Sequence, residues 1–223
     1  MNDSKWERSG AFGGLAFVVL LGVAGVLGGQ PPAATASESE ISDYLAGHQA
    51  GLKAGVWLLG LASMALTWWF GSLWRRMVRA EGGTARLAVV SLVGITVAGP
   101  LALMSAVVLA ATALHVDEMG ESAPVLYRMG GMLLAVEGFG LATHLLAANV
   151  LAARTRTLPR WLAGLGLASA LFFLLTAVLS ASSTDVNGSL GLIAFVLWCV
   201  WVVAVSYLFW IDKSVPPLTE AAR

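Results

Sequence analysis

Six apolar runs alternate with short polar segments along the chain, at about 11–29, 52–74, 87–114, 125–152, 161–181 and 189–211. A helix rises 1.5 Å per residue, so about 20 residues cross the roughly 30 Å of bilayer hydrocarbon, and each run is long enough. None of the runs alternates apolar and polar residues as a barrel strand does. A backbone in hydrocarbon must satisfy its own hydrogen bonds, so the runs are expected to be helices. The pattern predicts an all-α, polytopic transmembrane helical bundle of six spans, with residues 1–223 as one integral membrane domain and the lipid bilayer as its main partner.

The polar segments carry a marked charge asymmetry. Lys5 and Arg8 precede the first span, Arg75, Arg76, Arg79 and Arg86 lie between the second and third, Arg154, Arg156 and Arg160 between the fourth and fifth, and Lys213 and Arg223 after the sixth. Eleven of the thirteen basic residues thus fall on one side, which the positive-inside rule assigns to the cytoplasm together with both termini. The opposite segments hold Glu38, Glu40, Asp43, Asp117, Glu118, Glu121 and Asp185. Trp68, Trp69, Trp74, Trp161 and Trp210 sit near the inner boundaries, as an interfacial aromatic belt would. A bacterial inner-membrane location fits this layout.

Two features complicate the outer side. The basic start, the first apolar run and Ala34-Thr35-Ala36 together resemble a cleavable signal peptide, although the run approaches full span length and a retained helix is the preferred reading. Ser37 and Glu40 have capping-box spacing, which predicts an amphipathic helix over 37–51 that leads into the second span, with Ile41, Tyr44, Leu45, His48 and Leu52 on one face as a lid on the bundle. Gly25 with Gly29, and Gly51 with Gly55, have the spacing at which helices approach closely.

Composition narrows the function classes. At 58% hydrophobic and 12% charged, with mean hydropathy +0.80, the chain lies outside the range of a soluble domain. Net charge is zero and no continuous basic face exists, so nucleic acid is not an expected partner. The single cysteine, Cys199, allows no intramolecular disulfide and no Cys-rich metal site. Hydrolase, metalloprotease and phosphate-loop motifs are missing, so no catalytic residue, metal or cofactor is assigned and the chain is read as more non-enzyme than enzyme. Haem ligation by paired histidines would need two at equal depth on different helices, for which only His48 with His115 qualifies. No lysine lies inside a span to form a retinal Schiff base.

Against this apolar background the fourth span stands out. Glu137 lies about twelve residues inside it, where a carboxylate is costly unless protonated or paired. It is read as a neutral hydrogen-bond donor or as a proton-exchanging group facing a wet cavity. Gly99-Pro100 in the antiparallel third span falls at about the same depth. Proline there frees the carbonyl of Thr96 as a partner for Glu137 or, more simply, bends the helix for packing. His144 follows Glu137 by seven residues on nearly the same face, about 10 Å away by helical rise, and Asn149 lies further inward. These residues form either a polar track or a set of interhelical hydrogen bonds that fix packing.

Lys53 and Arg128 are the two basic residues on the outer side. They either snorkel and pair with nearby acids or form a basic mouth for an anionic ligand or headgroup, flanked by His48 and His115.

The stretch EGFGLATHLLAANVLAARTRTLPRW, residues 137–161, carries FGL at Phe139, a histidine at His144, a basic residue at Arg154 and Leu158-Pro159-Arg160 ahead of the next span. It resembles the closing motif of an uncharacterised bacterial six-span family, domain of unknown function 4386. The resemblance implies a six-span fold and no established activity. The expected function is a small-molecule or proton-coupled carrier or a lipid-binding module. The alternative is a structural or accessory subunit docked on a membrane-protein partner through small-residue helix faces.

Overall fold

The computed structural model describes residues 3–33, 35–180 and 186–211. The side chains of Lys5 and Arg8, and residues Ala34, Asp185, Lys213 and Arg223, lie outside the described part. The described chain is helical with no strand. It comprises α1 (Asp3–Gly28), α2 (Glu38–Gly47), α3 (Gln49–Glu81), α4 (Arg86–Leu114), the one-turn α5 (Val116–Met119), a 3-10 turn at Gly120–Ser122, α6 (Ala123–Thr155), α7 (Arg160–Leu179) and α8 (Val186–Ile211). Six of these, α1, α3, α4, α6, α7 and α8, contain segments long and apolar enough to cross a membrane, as the six apolar runs predict. The protein is a multi-pass, all-α membrane protein.

Helix ends depart from the apolar runs where polar chemistry extends or breaks a helix. α3 continues past Trp74 to Glu81, because Arg75, Arg76 and Arg79 are good helix formers and a helix is free to project beyond the hydrocarbon. It stops at Gly82 and Gly83, whose φ angles of 63° and 52° suit residues without a side chain. Glu81 then reaches across the turn, and its two carboxylate oxygens accept the amide hydrogens of Leu87 (2.8 Å) and Ala88 (2.9 Å), capping α4. Glu81→Ala is expected to lower stability by about 1 kcal/mol in thermal unfolding of the detergent-solubilised protein; Glu81→Gln, which keeps one acceptor, should cost less.

On the acidic side the expected continuous helix over 37–51 is two helices. Ser37 caps α2 by accepting the Glu40 amide hydrogen at 3.2 Å, but the backbone breaks at His48 (φ −119°, ψ 16°) before α3 begins. The break separates α2 from the spanning helix α3. Ile41, Tyr44 and Leu45 are buried on α2 and form a small core with Leu52, Ala110 and Tyr127, so α2 lies over α4 and α6.

The six spans form a closed ring in chain order. α1 packs on α3, α3 on α4, α4 on α6, α6 on α7, α7 on α8, and α8 returns to α1. α4 and α6 share the most extensive contact, in which small residues let the backbones meet: a methyl group added at Gly94 would lie 2.8 Å from the Gly140 carbonyl oxygen, and one at Gly140 would lie 2.8 Å from the Gly94 carbonyl oxygen. Ser105 donates to the Gly130 carbonyl across the same seam at 2.8 Å. In the half near the arginines, the ring interior is filled by Trp69 and Phe70 of α3 and by Trp198, Trp201 and Phe209 of α8. Trp69 and Trp201 meet edge to face with centroids 5.8 Å apart. Trp69, expected in an interfacial belt, is therefore a core residue, whereas Trp68, Trp161 and Trp210 are exposed.

Candidate functional site in the ring interior

The fourth span directs Glu137, His144 and Asn149 inward, while Thr143 is exposed. On α6, Gly138 packs against Phe173 and Ala177 of α7, and Gly140 packs against α4. At 100° per residue, Glu137 points between those two contacts, into the ring. Its side chain is 9% exposed. No hydrogen bond to its carboxyl is formed among the described residues.

Deeper along α6, His144 is fully buried and its Nδ1 lies 2.8 Å from the Ser91 hydroxyl of α4. Phe70 and Trp201 present their edges to its ring at 5.5 and 6.0 Å. Among the described residues its Nε2 is buried without a partner, as are the indole nitrogens of Trp69 and Trp198. Asn149 is also fully buried; it donates to the Leu145 carbonyl (2.8 Å) and accepts the indole hydrogen of Trp201 (2.9 Å). Gly166 on α7 leaves the space that the Asn149 amide fills, since a methyl group there would collide with the Asn149 carbon. Buried polar groups with such partners fix the packing of neighbouring helices.

The inward residues do not form one chain of hydrogen bonds. Glu137 and His144 share the interior face, yet buried Leu141 lies between them and no bond joins them. Thr96 is not among the interior polar groups. Its side chain is on the exposed surface of α4 and its hydroxyl donates to the Leu92 carbonyl at 2.8 Å. Pro100 is exposed on the same helix, which remains helical through it. Gly99 is partly buried, and a methyl group added there would meet nothing within 4 Å. The seam contacts of Gly94 with His144 and Ser105 with Gly130 put Gly99 level with Glu137, so depth agrees with the sequence reading while the direction of Thr96 and Pro100 does not.

In the acidic half the ring is open. A cleft of about 580 Å³ lies between α1, α3, α4 and α8, walled by Leu21, Gly25, Leu59, Ala106, Leu109 and Phe195. Its size falls in the range of small-molecule sites. Methyl groups added at Gly22 or Gly25 would meet no atom within 4 Å, so these glycines open space into the cleft. Gly51 does the opposite: a methyl group there would collide with the Leu27 carbonyl, and α1 and α3 pack closely at that level. Glycine spacing in the sequence did not distinguish a contact from a cavity.

The acidic-end cations and histidines are distributed separately. Arg128 donates to the Ala36 carbonyl at 3.3 Å, Tyr127 to the Pro32 carbonyl at 2.6 Å and Tyr44 to the Gly28 carbonyl at 2.8 Å, so these three side chains hold the chain that joins α1 to α2. Burial raises the Tyr44 phenol above its ordinary pKa of 10.0. His48 stacks on Tyr44 at 4.7 Å with its Nδ1 2.9 Å from the Tyr44 carbonyl oxygen. His115 lies 3.3 Å from the Glu118 carboxylate, and Lys53 is exposed. These contacts give Arg128, His48 and His115 local partners at the helix ends rather than a shared basic mouth. Among the described residues no group of three or more histidine, cysteine or acidic side chains is placed to hold a metal ion. No family model matches the chain, and no curated protein or solved structure matches it.

Proposed function

We propose that this protein binds a lipophilic small molecule inside its helical ring, in the cleft at the acidic end, as a binding module or carrier in a bacterial inner membrane with its arginine-rich end in the cytoplasm. The observation that carries this reading is the cleft itself: an apolar cavity of about 580 Å³ between four spans, kept open by Gly22 and Gly25. A ring filled throughout, as its arginine-end half is, would serve a purely structural role; the open half removes packing that a scaffold would gain by keeping.

Two substitutions test the reading. Leucine at Gly22 and Gly25 fills the cleft from α1 and strikes no neighbour at its Cβ, so the double variant should fold and melt as the parent does. Native mass spectrometry of the purified protein is expected to find a lipophilic molecule bound to the parent and lost from Gly22→Leu/Gly25→Leu. Equal retention by both proteins, or no bound molecule in the parent and none taken up from added lipid extract, would overturn the reading.

A further inference from the structure

We propose that the chain between α1 and α3 forms a hinged flap over the acidic mouth of the cleft, and that the lipophilic molecule exchanges when this flap lifts. The inference rests on the cleft reading above and adds the regulation of that site.

The order of the ring supplies the first argument. α1 has α3 and α8 as its neighbours and α6 has α4 and α7, so α1 and α6 stand on opposite sides. The chain leaving α1 nevertheless reaches α6, where the Tyr127 hydroxyl donates to the Pro32 carbonyl at 2.6 Å. On the way Gly28, Gly29 and Gln30 line the cleft. Residues 28–33 thus cross the acidic opening of the ring, and α2 extends the cover over α4 and α6. Leu52, Val56 and Leu109 belong to both layers: each lines the cleft, and each packs in the small core that holds Ile41, Tyr44 and Leu45 of α2. The cover therefore lies directly on the cleft.

The attachment of the cover supplies the second argument. It leaves α1 at Gly29, whose φ of 68° ends that helix, and rejoins the spans at His48, where the backbone breaks ahead of α3. These two points meet: a methyl group added at Gly29 would lie 2.6 Å from the His48 Nε2. A segment whose ends lie together swings about one line and draws no extra chain out of either helix. Its far edge is tied to α6 by the Tyr127 bond and by Arg128, which donates to the Ala36 carbonyl at 3.3 Å. Ile41, Tyr44 and Leu45 add a small buried patch. An element held by a few bonds and three side chains opens locally while the ring below it stays folded, and the lifted form is a minor native population.

Val56 lies under the flap, so a cysteine there reports opening without any ligand. Val56→Cys is made in a full chain carrying Cys199→Ala and placed in nanodiscs. Its reaction with 2-(trimethylammonium)ethyl methanethiosulfonate, a charged reagent that does not cross lipid, is then timed. Slow modification is expected, set by the fraction of time the flap is lifted. Tyr127→Phe removes one tie and should raise the rate about fivefold, the factor for one hydrogen bond. Ile41→Ala removes a buried anchor and should raise it about tenfold or more. Native Cys199, beside Trp198 in the filled half, is the control, and in a chain that keeps Val56 neither substitution should change its rate. Equal rates at Val56→Cys with and without the two substitutions overturn the flap. So does a rise of the same size at Cys199, which would mean general loosening, and so does no reaction at Val56→Cys in any chain. All three spare the cleft reading, which the retention assay on Gly22→Leu/Gly25→Leu decides separately. Equal retention in that assay beside a Tyr127-dependent rate refutes the cleft reading and, with it, the role of the flap in exchange.

Discussion

Gly94→Val is expected to destabilise the protein more than any other single change considered, by about 3 kcal/mol or more, seen as a fall of several degrees in the thermal midpoint of the solubilised protein. A methyl group at Gly94 would lie 2.6 Å from the His144 amide nitrogen and 2.8 Å from the Gly140 carbonyl oxygen. Both are backbone atoms of a neighbouring helix, so no side chain is able to swing away, and α4 and α6 must separate. That separation would also stretch the 2.8 Å contact between Ser91 and His144. Gly99→Ala, five residues along the same helix, meets open space and is expected to be neutral or mildly stabilising, by up to about 1 kcal/mol from helix propensity. Equal losses from the two substitutions would mean that the α4–α6 seam is not the close backbone contact described.

The second large effect is expected at the bond between Asn149 and Trp201. Asn149→Leu leaves the Trp201 indole hydrogen in an apolar interior and should cost about 2 kcal/mol. Trp201→Phe leaves the Asn149 oxygen bare and adds a void, so its cost should be similar or greater. The double variant removes both halves of the bond together. Its cost is expected to fall short of the summed single costs by roughly 1 kcal/mol, a coupling in the range for polar contacts between membrane helices. Strict additivity in unfolding measurements would show that the bond contributes nothing to holding α6 against α8.

Both predictions concern positions whose residue types were plain in the sequence and whose partners were not. Asn149 was read as an interior polar residue, yet nothing in the chain indicated a tryptophan 52 positions later as its donor. Gly94 drew no notice among 25 glycines. Glu137 and His144 were singled out because an ionisable residue is conspicuous in an apolar run, and the structure places both inward. It does not join them to each other or to Thr96. Ser91, Trp201 and Gly22 carry no signal in the sequence, and Gly25 reads there as a packing position, since hydroxyls, indoles and glycines are all common in spanning helices.

The sequence by itself determined the number of spans, their helical nature and the charge difference between the two ends of the bundle. Each follows from a local rule: an apolar run of sufficient length must form a helix in hydrocarbon, and charged residues collect outside it. Tertiary structure alone decided which side of each span faces the ring and which faces lipid. In water those sides would differ in polarity and the difference would be legible. Here lipid and protein interior are almost equally apolar, so Trp68 and Trp69, adjacent and identical in type, give no sign that the first is exposed and the second buried. For the same reason only the packed ring shows that Gly51 closes a contact while Gly25 opens a cleft, because the role of a missing side chain depends on which neighbour stands opposite it.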